Sequence, residues 1–217
     1  MRLRVLLVAV PALALLPLAR HFLRVDTLHA FWIIDVSLRI FIPVLCLYAL
    51  KRIEGIGPSG YGLSLTLRGS RIDQYIAICL LCTMLFLVYV IVDGAVRFLT
   101  EASTDSVTTR ISPYPDSIVA VMYFVTVASV MEEIIFRGVL AAALLGPQRW
   151  SAVLYVAVSA VAFTLAHSVS DPAIIVSHLY FGLVAAVMYV LLRNLWPLII
   201  AHFLTNVVVT ALFGKAS

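Results

Sequence analysis

Runs of about 20 mostly apolar residues, the length a helix needs to cross a bilayer core, follow one another along almost the whole chain. They fall near 3–23, 29–50, 72–92, 116–145, 151–168, 173–192 and 195–213. Of 217 residues, 63% are hydrophobic and 12% charged, whereas a soluble domain carries about 25% charged residues. Mean hydropathy is +1.09. The expected fold is therefore all-α: a polytopic membrane helix bundle of about seven transmembrane helices. It forms a single integral membrane domain over 1–217, with no room in the loops for a soluble one. The net charge of +4 is dispersed along the loops, which suits control of topology and excludes nucleic-acid binding.

Basic loop residues mark the cytoplasmic side. The loop from Lys51 to Arg71 carries Lys51, Arg52, Arg68 and Arg71 against Glu54. The loop from Asp93 to Pro115 carries Arg97 and Arg110 against Asp93, Glu101 and Asp105. The first loop and the N-terminus are expected inside, and with seven spans the C-terminus outside. The apolar run after Met1-Arg2-Leu3-Arg4 has no small-residue cleavage site followed by a polar start, so it reads as a membrane helix and not as a signal peptide. Gly55 to Gly62 reads as a flexible turn, since a phosphate-binding loop needs a strand before it and a lysine within it. Cys46, Cys79 and Cys82 lie in apolar spans and read as packing residues. Only Arg193-Asn194 separates the last two spans, which implies a tight helical hairpin.

Three ionisable groups interrupt the fourth span: Met131-Glu132-Glu133-Ile134-Ile135-Phe136-Arg137. Each costs roughly 2.5–3.5 kcal/mol at a helix centre in the bilayer, so they must face protein or a wet cavity. On a helix Glu133 and Arg137 share a face and can pair. Glu132 points about 100° away and has no obvious local partner. A carboxylate in such a cavity suits general acid or base work. His167 ends the run Phe163-Thr164-Leu165-Ala166-His167, and His202 stands one turn before Asn206. His178 reads equally well as a packing residue. Asp35 and Arg39 read as an ion pair that fixes helix position, Asp93 as an interfacial group, and Ser129 as a small residue at a helix contact.

A carboxylate, two imidazoles and an amide supply a proton acceptor, a water-positioning group and donors for an oxyanion, the parts needed to hydrolyse an amide. No serine or cysteine has the context of a nucleophile. A small transporter or proton relay would need titratable groups spaced across the membrane, and both ends lack them. A non-catalytic scaffold or immunity protein stays open; it should tolerate Glu132→Gln, whereas a hydrolase should not.

Three motifs then stand in order on membrane helices: EExxxR at Glu132 to Arg137, FxxxH at Phe163 to His167, and HxxxN (in the general form HxxxN or HxxxD) at His202 to Asn206. Together they resemble the CPBP family of CAAX proteases and bacteriocin-processing enzymes, also called Abi or Rce1-like. The resemblance covers about 116–210, the expected catalytic helical core; the first 115 residues resemble the family only in being membrane helices. It implies a glutamate-type intramembrane endopeptidase. Glu132 would activate a water with help from His167, and His202 and Asn206 would stabilise the oxyanion. Glu133, Arg137 and Phe163 would support the site. No cofactor and no metal are expected, because HExxH is absent and the adjacent glutamates diverge.

The implied partners are the lipid bilayer and a protein or peptide substrate, membrane-associated or modified at its C-terminus. Eukaryotic members of the family remove the last three residues of prenylated CaaX proteins. Many prokaryotic relatives act in bacteriocin processing, immunity, or membrane protein maturation and sorting. A prokaryotic inner (plasma) membrane is the expected location. The chain's own ending, Phe213 to Ser217, is not a CaaX box. Simple depth counting puts Glu132 near mid-membrane, His202 near the cytoplasmic end of its span and His167 late in the fifth. Bringing them together needs tilted helices around a water-filled cavity, or a fifth span with other limits.

Overall fold

The computed structural model describes residues 4, 5, 7, 28–64, 72–100, 118–167 and 171–213, and all regular structure among them is helical. The expected span at 3–23 lies outside the described residues, apart from three positions. So do Arg68, Arg71, Arg110, Glu101 and Asp105, on which the expected sidedness rests.

Helix α1 joins Leu28–Val36, Ser37–Phe41 and Ile42–Glu54 into one rod whose middle part is a widened, π-type turn. Pro43 explains the widening. It lacks the N–H that would reach back to Arg39, and its ring crowds that carbonyl. Ser37 adds a side-chain bond to Ile33 O at 2.6 Å, a local competitor of the regular ladder. Gly55 ends α1 in the left-handed conformation, φ 67°, which a residue without Cβ adopts freely. Lys51 and Arg52 lie in this last turn, not in a loop, and complement the helix dipole.

The glycine-rich run after α1 is a turn, as expected, and it makes specific contacts. Pro58–Tyr61 form a tight helical turn with Tyr61 buried. Gly62 O accepts from Leu195 N at 2.8 Å, and Asn194 Nδ2 donates to Ser64 O at 2.8 Å. The turn is thus tied to the hairpin between the last two helices. Gly138 permits this approach: a Cβ there would stand 3.1 Å from the Tyr61 backbone carbonyl.

Helix α2 runs Ile72–Thr100, two turns beyond the expected end of its span. At 1.5 Å per residue it is roughly 43 Å long. Helix α3 runs Ile118–Leu144 and carries two widened turns, Phe124–Ala128 and Ile134–Val139. Helices α4 (Arg149–Leu165), α5 (Pro172–Leu192) and α6 (Trp196–Phe213) complete the described fold. Asp171 caps α5 by accepting from Ala173 N at 2.8 Å, with Pro172 at the first helical position where its missing N–H costs nothing. Arg193, at φ 51°, makes the tight turn into α6.

Four described helices are long and apolar enough to cross a membrane: Trp32–Glu54, Ile72–Thr100, Ile118–Leu144 and Pro172–Leu192. The apolar stretches Arg149–Leu165 and Trp196–Ala211 are shorter. The expected count of seven is therefore not reached among the described residues. Large apolar side chains such as Ile33, Leu45, Leu80, Met84, Leu154 and Leu191 are exposed. So much bare apolar surface suits lipid as its solvent.

α5 lies against α4 and α2, and α6 against α2 and α3. Small residues bring α4 and α5 close: a Cβ on Gly182 would sit 2.9 Å from Ala160 Cα, the kind of contact that drives helix association without a hydrophobic effect. Cys79 and Cys82 are buried free thiols in α2. α1 meets the rest mainly where its widened turn faces α3.

Candidate active site

Glu132 and Glu133 end the regular helical segment Ser129–Glu133, between the two widened turns of α3. Being consecutive on a helix, they diverge by about 100°, and they engage different helices. Glu133 faces α6 and its own helix; Glu132 faces α1 and the end of α4.

The group around Glu133 is dry. Glu133 and Arg137 are both fully buried, with Arg137 Nη1 3.3 Å from Glu133 Oε1. This is a coulombic contact without an aligned hydrogen bond: among the described residues the three guanidinium nitrogens and Glu133 Oε2 have no hydrogen-bond partner. Arg137 is instead stacked, its Cζ 4.4 Å from the centre of the Phe163 ring. A desolvated cation over an aromatic face gains about 2 kcal/mol. Phe163 in turn stacks on Phe181 at 5.3 Å and 15°. His202 Nδ1 lies 2.9 Å from Glu133 Oε1. The carboxylate accepts there, so Nδ1 carries the proton. Ser159 Oγ donates to Phe136 O at 2.7 Å, which locks α4 to the second widened turn.

Glu132 lies with its Oε2 4.0 Å from His167 Nε2. His167 Nδ1 is 2.8 Å from Phe163 O, an acceptor only. Nδ1 is therefore the donor in that bond, and Nε2 is the ring nitrogen turned toward Glu132. The Phe163 ring stands between the two imidazoles, 4.6 Å from His167 and 6.3 Å from His202. Asn206 Nδ2 donates to Ser129 Oγ at 3.0 Å, one turn before Glu133. The residues expected in the site are thus grouped in three contacts around α3: Glu132 with His167; Glu133 with Arg137, His202 and Phe163; Asn206 with Ser129. Depth counting fails to bring them together because α4 is shorter than a full span and delivers His167 directly after its last turn.

Two readings are extended. Glu132 has no partner nearby in sequence but gains one from a distant helix. Arg39 Nη1 reaches Glu132 Oε1 at 2.5 Å while Arg39 Nε holds Asp35 Oδ1 at 2.9 Å. The expected Asp35–Arg39 pair exists, but it leaves donors to spare, because a guanidinium has five N–H groups and one carboxylate cannot use them all. That surplus on a buried arginine was the available signal. Asp93, expected as an interfacial group, also takes part in an ion-pair network. It is buried and receives Arg97 Nε at 2.8 Å, and Arg97 Nη2 also reaches Asp171 Oδ2 at 3.1 Å. This network ties the end of α2 to the cap of α5.

His178, which the spacing alone leaves open, has its ring 4.2 Å from that of His167. Its Nδ1 is 2.9 Å from Ile174 O, so it is fixed from below by its own helix. Ser129 is more than a small residue at a contact: it donates to Val125 O at 2.7 Å and accepts from Asn206. Among the described residues no three His, Cys, Asp or Glu side chains gather as metal ligands. Cations already adjoin both glutamates.

Residues 114–208 match the family model described as type II CAAX prenyl endopeptidase Rce1-like. The match covers just under half of the chain and contains all three motifs. No curated protein and no solved structure matches the chain. The matched family is the one that the motifs resemble, and its description is that of a peptidase.

Proposed function

We propose, from the Rce1-like family of residues 114–208 and the geometry around Glu132, that the protein is an intramembrane endopeptidase using glutamate-activated water. The observation that carries this reading is the 4.0 Å between Glu132 Oε2 and His167 Nε2. That gap is too long for a direct hydrogen bond and lets one water lie within about 2.8 Å of both acceptors. Both groups can then draw on its protons.

In the proposed reaction the water oxygen attacks the peptide carbonyl carbon as its proton passes to Glu132. The oxyanion that forms is met by Nε2–H of His202 and by the Asn206 N–H not given to Ser129. For this His202 must carry both ring protons, and Glu133, which holds Nδ1, is the counter-charge. Glu132 then returns the proton to the leaving nitrogen and the C–N bond breaks. Arg137 and Phe163 keep Glu133 and His167 in place, the first by charge and the second through its carbonyl. The substrate class is a membrane-associated protein or peptide, with a C-terminal prenylated segment as the first choice on the family's description.

Cleavage of a farnesylated CaaX peptide by purified protein in liposomes tests this, with Glu132→Gln and His167→Ala beside the wild type. The expected result is loss of cleavage in both variants. Equal cleavage by either variant removes the mechanism. Correctly folded wild-type protein that cleaves neither prenylated nor plain peptides would favour the scaffold reading.

A further inference from the structure

We infer that Arg39 is a positioning residue for Glu132, so that α1, outside the segment the family model matches, forms part of the site. The inference rests on the peptidase reading above. Arg39 is 2% exposed, and its planar group is held in three ways. Nε binds Asp35 Oδ1 at 2.9 Å, Nη1 binds Glu132 Oε1 at 2.5 Å, and Cζ lies 4.9 Å from the centre of the Phe124 ring. Nε and Nη1 are rigidly related within one fork. With Asp35 fixing Nε on the same helix turn, the direction of Nη1 is set before Glu132 meets it.

The consequence lies in which oxygen of Glu132 is turned toward His167. Arg39 occupies Oε1, and Oε2 is the atom 4.0 Å from His167. A glutamate without this anchor keeps three rotatable bonds and several rotamers. A misplacement of about 1 Å at a reacting group can cost on the order of 100-fold in rate. Local structure serves the same end. Pro43 widens the turn of α1 that carries Arg39, and that turn meets the first widened turn of α3 and the segment bearing Glu132. Lysine would keep the charge but not the fork.

The test is steady-state cleavage of the farnesylated CaaX peptide by the full chain in liposomes. It compares wild type, Arg39→Gln, Arg39→Lys, Glu132→Gln and the double variant Arg39→Gln/Glu132→Gln. Arg39→Gln should lower kcat about 100-fold with KM within about twofold, and Arg39→Lys should restore kcat only in part. The double variant should be no slower than Glu132→Gln alone, since Arg39 acts through Glu132. A folded Arg39→Gln with wild-type kcat overturns the inference. If Arg39→Gln does not fold, Arg39→Lys decides, and wild-type kcat there overturns it equally. Inactive Glu132→Gln beside fully active Arg39 variants removes this inference alone; active Glu132→Gln removes the peptidase reading beneath it.

Discussion

His202 Nδ1 and Glu133 Oε1 lie 2.9 Å apart, and the same carboxylate oxygen is 3.3 Å from Arg137 Nη1. Glu133 is thus the shared counter-charge of a fully buried guanidinium and an imidazole. Glu133→Gln would leave Arg137 charged and uncompensated in a dry interior. Removing one partner of a buried pair costs about 3–5 kcal/mol. The expected outcome is a clear fall in the thermal midpoint of the protein in detergent. Glu132→Gln should fall less, because Arg39 keeps Asp35. Equal stability of Glu133→Gln and wild type would show that the pair carries no such energy.

Asn206 gives one N–H to Ser129 and has one left for an oxyanion. Asn206→Asp keeps size and a polar contact with Ser129 but removes both donors. Loss of a single oxyanion donor typically lowers kcat by about 10²–10³. Both Asn206→Ala and Asn206→Asp should fall in that range while remaining folded. Wild-type kcat in Asn206→Asp would show that the amide donates nothing to the transition state.

Gly182 meets the Ala160 backbone where α5 crosses α4, with an added Cβ only 2.9 Å from Ala160 Cα. Backbone cannot rotate away as a side chain can, so the helices must separate. Gly182→Ala should cost about 1–3 kcal/mol, read as a lowered unfolding midpoint. It should also reduce cleavage, because Phe181 beside it carries the Phe163 stack under Arg137.

Asp171 both caps α5 and receives Arg97. Asp171→Ala removes the cap, a loss of about 0.5–2 kcal/mol, while Arg97 keeps Asp93. Asp171→Asn should recover most of the capping energy, since its side-chain oxygen still accepts. Matched unfolding midpoints for the alanine and wild-type proteins would contradict this.

Exhaustive chelation should leave cleavage unchanged. A metal ion at either glutamate would stand beside a guanidinium, Arg39 at Glu132 or Arg137 at Glu133, and like charges at that distance repel strongly in a poor solvent. A tenfold loss in chelator that zinc restores would overturn this expectation.

The apolar runs, the hairpin at Arg193-Asn194 and the Glu133–Arg137 pair were legible because each is local: run length, turn residues and i,i+4 spacing need only neighbouring positions. The three motifs were legible as residue types in order. The extent of α2 was misread because Asp93 and Arg97 look like loop charges until a partner, Asp171, removes them from water. The turn at Pro58–Tyr61 was legible as a turn but not in its contacts, because glycines signal conformational freedom and not the close approach that uses it.

What the amino-acid order determined by itself is the solvent this chain needs, the helices that follow from it and the face each charged group shares with its helix neighbours. Only the tertiary structure decided which carboxylate meets which cation: His202 with Glu133, and Arg39 with Glu132 across 93 positions. The reason is physical. Helical periodicity sets the direction of a side chain about its own axis, but which other helix stands in that direction depends on how all the rods pack. Pairings between distant helices are settled there, by the energy of leaving no charge unmatched in a medium that cannot solvate it.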